Sequence, residues 1–507
     1  MKPSLLQRSL AWLPVPFVLA GCAVAPVPGR APPDVTRLTA SEVAAGICSG
    51  TFTSLQVTRA YIARAKSHAD HNAFVTLDEA GALKQARAAD ARHAAGARCE
   101  PLQGVPMVIK DNIEVAGLPT TAGTPALKNF VPQADAPVVQ RLRAAGAVIL
   151  GKTNMHELAF GISGYNPAYN TSRNVGVRNA YDVTKMSGGS SAGNAVAIGA
   201  RMAPAAVGTD TGGSVRIPCA LNGCASLRPT VGRYPAAGIA PISHTRDTAG
   251  PMAVSMDDID LIDRVITGAP AQPPVNLHGL RLGLVDDFLA HLDPDTFRAF
   301  EAAVDVLRSA GVAVVPVKMP GLATLNGNVS FPVALYEAND DMVAWLRDAG
   351  TGVTIQQLVA QIASPDVKAT YEGLVLPRML PAPGGGVTPA APIYQAAMAT
   401  HRPALQRLYA DTFRANRLDA LVFPTTPRTA LPADPDASSL ANFLLFIQNT
   451  DPGSNAGVPG IQLPIALGAT TRLPIGMELD GPAGSDRRLV AIGRAIEAAL
   501  GRLPPAP

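Results

Sequence analysis

Two glycine–serine clusters and one lysine supply the residue types from which acyl-transfer chemistry is built. Residues 187–233 read SGGSSAGNAVAIGARMAPAAVGTDTGGSVRIPCALNGCASLRPTVGR, and Ser190 and Ser214 each follow a Gly-Gly pair, 24 residues apart. Glycine before a serine lets backbone approach a ligand closely and permits positive φ. Successive peptide N–H groups in such a loop form an anion-binding nest. A nucleophilic serine in its own nest would draw an oxyanion hole from Thr211, Gly212, Gly213 and Ser214. The alternative is two ordinary Gly-Ser turns, and Asp210 and Arg216 beside the second cluster argue against it. A nucleophilic serine also needs a base. No histidine stands in a convincing context, which leaves Lys110 at the end of the apolar run Val105–Ile109. Burial there would disfavour its charged form, as a lysine base requires; exposed, it would be an ordinary surface lysine.

Three other patterns invite different chemistry. Gly146–Thr153 (GAVILGKT) formally matches a phosphate loop, but Ala147–Leu150 is an apolar strand-former, unsuited to wrapping an anion. Gly189–Gly193 matches G-x-S-x-G, yet Thr184–Gly189 is no apolar strand, and the later Asp and His of an α/β-hydrolase lack context. His68 and His71 beside Asp70, and His156-Glu157 without a second histidine, read as solvated polar faces rather than metal sites.

The elements that must position these residues alternate. Residues 38–68 have helical spacing, with Thr39 or Ser41 as cap, and 76–96 is an Ala-rich helix. Met107–Ile109 and Ala147–Leu150 read as strands, with a helix over Pro137–Ala145 between them. A helix over Ala192–Arg201 follows the first Gly-Ser loop. Strand, helix and strand recur over Arg281–Val285, Asp293–Ala310 and Val312–Val317. Residues 318–400 are less regular, contain the Gly384–Gly386 loop, and read as a variable insertion able to cover a site. Strands return at Leu418–Phe423, Gly460–Leu467 and Leu473–Leu479, closing on a helix over Asp486–Leu500. Helix alternating with strand predicts an α/β fold.

Composition narrows the class. At 47% hydrophobic and 16% charged, the 507-residue chain is not intrinsically disordered. A net charge of +3 is too small for a nucleic-acid footprint. The 46 Gly and 46 Pro follow no collagen period, and five Cys make no disulfide scaffold. Length allows about three domains at roughly 150 residues each; the pattern favours one large domain.

The first 22 residues, with Lys2 and Arg8 before an apolar stretch, read as a secretory signal too short to span a bilayer. It ends in Leu19-Ala20-Gly21-Cys22, which resembles a bacterial lipobox and implies cleavage before Cys22 and lipidation of its thiol. Ala23 after that cysteine resembles outer-membrane sorting, so a lipid-anchored periplasmic protein is expected. Residues 23–37 read as a Pro-rich tether. In an oxidising compartment Cys48 and Cys99 could pair, as could Cys219 and Cys224, though sequence does not set connectivity.

The block 187–233, the Lys110 segment and Gly151–Glu157 (GKTNMHE) together resemble the amidase signature family, over about residues 38–500. The resemblance implies a single large α/β domain over 38–502, a mixed sheet flanked by helices, with no metal or organic cofactor. It implies Lys110 as base, a cis-configured Ser190 as relay and Ser214 as nucleophile of an acyl-enzyme. Ser226-Leu227-Arg228-Pro229-Thr230 and Cys219 depart from the usual pattern without replacing a catalytic group. Segments 241–251 and 479–486 look like those of indoleacetamide and mandelamide hydrolases, which points to small aryl-substituted carboxamides. The alternatives are a peptide C-terminal amidase, an aryl acylamidase or carbamate hydrolase and, in a different class, an inactive lipid-anchored binding protein. Phe160, Ile162, Ser163 and the 318–400 insertion are the expected pocket residues.

Overall fold

The computed structural model describes residues 34–170, 174–382 and 384–507. The signal segment, Cys22 and tether residues 23–33 lie outside the described residues. At the tether's end Val35–Arg37 already forms a 3-10 turn, and the Tyr61 hydroxyl donates to the Val35 carbonyl at 3.2 Å.

Thirteen strands are described: β1 Phe74–Leu77, β2 Pro106–Lys110, β3 Val148–Thr153, β4 Ala205–Asp210, β5 Ala225–Arg228, β6 Thr248–Ala253, β7 Arg281–Val285, β8 Ala313–Val317, β9 Met379–Pro381, β10 Val387–Pro389, β11 Ala420–Pro424, β12 Gly460–Leu467 and β13 Pro474–Asp480. Eleven form one sheet in the order β1-β3-β2-β4-β6-β5-β12-β13-β11-β7-β8. It is mixed: β3-β2-β4 and β11-β7-β8 run parallel, while the middle strands and β1 pair antiparallel. Helices Glu79–Ala94, Met256–Thr267 and Asp486–Leu500 pack on β3, β6 and β12. Burial on both faces explains why β2, β3, β4, β5 and β6 are buried along their whole length. Among the described residues, no helix is long and apolar enough to cross a membrane.

Most element boundaries agree with the periodicity, and four regions differ. The helix read over 38–68 is two, Ala40–Cys48 and Ser54–Ser67, each opened by a capping box on Thr39 or Thr53. The start of the 76–96 helix is strand β1; the helix itself is Glu79–Ala94, capped by Asp78. Strands β4, β5 and β6 carry Ala, Gly, Ser and Pro in place of β-branched runs, so local propensity does not mark them. Small residues are needed there: a Cβ on Gly208 would sit 2.6 Å from Ser191 Oγ.

The 318–400 stretch is regular, not irregular. It is mostly helical, including Ser330–Asp348, Ile355–Ala360, Pro365–Thr370 and Ala390–Ala396, plus the β9-β10 hairpin. Leu335, Met342, Leu346, Leu358 and Tyr371 form a second apolar core that reaches Met155, Leu158 and Ile242 of the sheet-bearing part. The helices depend on that shared core, which explains why their own periodicity is weak.

Both cysteine pairs are bridged: Cys48–Cys99 with Cα atoms 6.0 Å apart, and Cys219–Cys224 at 4.6 Å.

Candidate active site

Lys110 is the last residue of β2, and Thr209 and Asp210 end the neighbouring β4. The Lys110 ammonium is fully buried and donates to Ser190 Oγ at 2.8 Å and Thr209 Oγ1 at 2.7 Å. Burial lowers its pKa to about 7, although Asp210 and Asp247 pull the other way. The Gly189–Ser190 peptide is cis. The next residue ties this loop to the second cluster. Ser191 N–H donates to the Ser214 carbonyl at 3.1 Å, and its hydroxyl donates to the Thr209 carbonyl at 3.1 Å. The central serine of G-x-S-x-G is therefore a buried tie.

Asp210 sits inside the Thr211–Ser214 loop. Its carboxylate accepts from Gly213 N–H at 2.8 Å and Val215 N–H at 3.1 Å, and faces the guanidinium groups of Arg216 and Arg228 at 3.1 and 2.8 Å. Burial raises Asp210, but the two arginines and the amides outweigh it and hold it well below the carboxylate range. Arg216 reaches on to Glu478 on β13 and to Ser454 Oγ at 2.6 Å. Thr211 Oγ1 donates to Asp247 at 2.6 Å, and Thr450 Oγ1 donates to the Gly212 carbonyl at 2.6 Å. Gly213 has φ +138°, and a Cβ there would lie 2.3 Å from Thr450 Oγ1, so only glycine fits. The Gly213 amide is already committed to Asp210, so Thr211, Gly212 and Ser214 supply the amides not tied to that carboxylate.

A cavity of about 380 Å³ opens beside this loop. Of the serine pair and the lysine, Ser214 lines it, while Ser190 and Lys110 lie fully buried behind. Phe160, Ile162, Phe331, Leu374, Phe443 and Ile447 are among the apolar side chains of its wall. Phe331 and Phe443 stack with centroids 6.0 Å apart, and Phe160 meets Tyr371 edge-on at 5.1 Å. The Amidase family model matches residues 56–490 of this chain.

The chain belongs to the Amidase family. This amidase is 46% identical to the mandelamide hydrolase of Pseudomonas putida over 474 residues, 93% of each chain. It is 40% identical to the indoleacetamide hydrolase of Rhizobium radiobacter, covering 89% of this chain and 94% of that one. The crystal structure of the native peptide amidase from Stenotrophomonas maltophilia superimposes with a TM-score of 0.77 at 30% identity, over 92% of this chain and 98% of the other. The amidase is an enzyme of carbon–nitrogen bond hydrolysis on linear amides.

Several site residues in the amidase escape a linear reading. Ser163 does not line the cavity; it stands behind, 2.7 Å from Ser438 Oγ, which does. Ile242 and Arg246 of segment 241–251 reach the wall, whereas segment 479–486 works elsewhere: Asp480 contacts Tyr409, and Asp486 accepts from Thr230 N–H at 2.7 Å. Arg246 pairs with Asp451 on that wall, and nothing in either residue's neighbourhood announces it. His156-Glu157 is no solvated face. Both are fully buried, and Glu157 accepts the amides of Ala363 and Ser364 at 3.1 and 2.7 Å while His156 lies 3.0 Å from Asp366. The pair clamps the 318–400 helices onto the cavity; its position at the end of the GKTNMHE segment is the sequence clue. Lys152 of the phosphate-loop look-alike lies in β3, buried against Asp111 at 3.4 Å and Thr120 Oγ1 at 2.8 Å. His68 caps a helix end and Asp70 sits in the 3-10 turn that follows, but His71 of that turn is buried rather than on a solvated face. His244, Glu337 and Asp341 bring ligand atoms within 4.8 Å of one another. Glu337 is already occupied by the hydroxyls of Ser243, Thr245 and Tyr394 at 2.5, 2.5 and 2.9 Å.

Proposed function

We propose that this amidase hydrolyses small primary carboxamides with an aryl-bearing acyl group through an acyl-enzyme on Ser214. One observation carries the reading: Lys110 donates to Ser190 at 2.8 Å, directly behind a cavity that Ser214 lines and whose wall includes Phe160, Phe331 and Phe443. In the reaction, neutral Lys110 takes a proton from Ser190, and Ser190 takes one from Ser214 as its Oγ bonds to the amide carbon. The amides of Thr211, Gly212 and Ser214 stabilise the oxyanion. The C–N bond then breaks, and the proton returns through Ser190 to the nitrogen, which leaves as ammonia. Water attacks the acyl-serine ester, frees the carboxylic acid and restores Ser214. The names of the mandelamide and indoleacetamide relatives support an aryl acyl group.

The test is ammonia release from indoleacetamide, mandelamide and a peptide C-terminal amide, with Ser214→Ala as the blank. Preference for the first two supports the reading. Release from the peptide amide alone replaces it with a peptide amidase. Release undiminished in Ser214→Ala overturns the mechanism, because loss of a nucleophile costs at least ~10³-fold.

The reading extends to place. The Leu19–Cys22 lipobox and two disulfides support an exported protein anchored by lipid on Cys22 in the periplasm. Radiolabelled palmitate incorporated by the native chain and not by Cys22→Ala would support the anchor; equal labelling of both would remove it.

A further inference from the structure

The acyl-transfer steps leave one polar chain in the cavity wall unused. Ser438 Oγ lies 2.7 Å from Ser163 Oγ, Ser163 Oγ 3.4 Å from His156 Nδ1, and His156 Nε2 3.0 Å from Asp366 Oδ2. The two ends, Ser438 and Asp366, line the cavity; the two middle members are buried.

The other charged groups on that wall are matched to each other. Asp451 faces Arg246 and also accepts from Asn326 and Asn455 at 3.0 and 3.1 Å. Asp366 differs. Its one ionic partner among the described residues is His156 at 3.0 Å, and its side chain stays 26% exposed where it lines the cavity, against 2% for Asp451. Burial raises the Asp366 carboxyl, but His156 together with the backbone amides of Val367 and Asp366 outweighs it, so the group sits below its ordinary value and is anionic at neutral pH. A carboxylate partly open to the cavity accepts a donor that the ligand brings. An acyl group without that donor displaces the water there and puts nothing in its place, which is how a small site discriminates between analogues.

We propose that Asp366, oriented by His156, is a specificity-determining residue that accepts a hydrogen bond from a hydroxyl carried by the acyl portion of the amide. The inference rests on the aryl-amide reading above and narrows it to hydroxylated aryl amides. The clamp formed by His156 and Glu157 thus has two roles. Glu157 holds the covering helices down, and His156 aims the one carboxylate those helices bring to the cavity.

Three amides test it: phenylacetamide, and the isomers mandelamide and 4-hydroxyphenylacetamide, which add a hydroxyl beside the carbonyl or on the ring. The readout is the ratio of kcat/KM for each hydroxylated amide over phenylacetamide. That ratio is taken within one protein preparation, so partial misfolding of a variant cancels. In the native enzyme at least one ratio is expected at about tenfold to a hundredfold, the range of a hydrogen bond to a charged group. In Asp366→Ala it should fall toward one, and in the isosteric Asp366→Asn it should fall severalfold. Native ratios near one, or ratios unchanged in both variants, overturn the assignment. If the native enzyme releases ammonia from none of the three, the aryl-amide reading itself fails and takes this inference with it.

Discussion

Lys110 shows how one side chain acquires its chemistry from its surroundings. It carries no unusual neighbours in sequence, yet full burial brings its pKa down to about 7. In the proposed mechanism a protonated amine cannot accept the Ser190 proton, so activity would depend on the neutral fraction, which grows as pH rises through that value. We expect kcat/KM to climb roughly tenfold per pH unit below about 7 and to level off above it. Lys110→Ala should lose at least ~10³-fold and also the pH dependence. A native profile that falls from pH 6 to 8 would remove the lysine as base. The residue types and the two Gly-Gly-Ser clusters were legible in the sequence. The commitment of the Gly213 amide to Asp210 was not, because it depends on where a neighbouring carboxylate folds back.

At the scale of elements, the nest loop is held by charge rather than by its own turns. The end of β4 presents Asp210 to Arg216 on the following helix and to Arg228 on β5, and Arg216 spans to Glu478 on β13. Burial raises the Glu478 and Asp480 carboxyls, against the pull of Arg216. Removing one partner from such a buried set strands the others without compensation, at a cost of about 3–5 kcal/mol. Asp210→Ala should therefore lower unfolding stability by about that much, read by urea denaturation, and slow turnover as the loop loosens. An unchanged midpoint would show that the arginines find other partners. The pairing Asp210 and Arg216 was visible as sequence neighbours; Arg228, Glu478 and Ser454 join from 12 to 262 residues away, a distance no local pattern spans.

For the whole molecule, the C-terminal strands complete a sheet begun near the N-terminus. Strands β12 and β13 insert between β5 and β11, so the centre of the sheet closes only when the last quarter of the chain arrives. The Cys48–Cys99 bridge ties the N-terminal helices to the loop before β2 across 51 residues. Constraining a loop of that length removes unfolded-chain entropy worth about 4 kcal/mol. Replacing both cysteines by serine should lower the unfolding midpoint accordingly while leaving kcat/KM nearly unchanged, since neither cysteine lines the cavity. A variant as stable as the native protein would show that the bridge does little for the fold.

The sequence by itself determined the chemistry and the class of fold. Serines after Gly-Gly pairs, a lysine closing an apolar run, and helix alternating with strand are local properties, written in residue type and spacing. The tertiary structure alone decided the cavity and which side chains line it. Asp366, His156, Arg246 and Phe443 come from separate stretches of chain, and their meeting depends on how the 318–400 helices dock. Strands β4 to β6 and the covering helices escaped a sequence reading for one physical reason. Their small or ambiguous residues take their conformation from the partners they pack against, and those partners exist only in the folded chain.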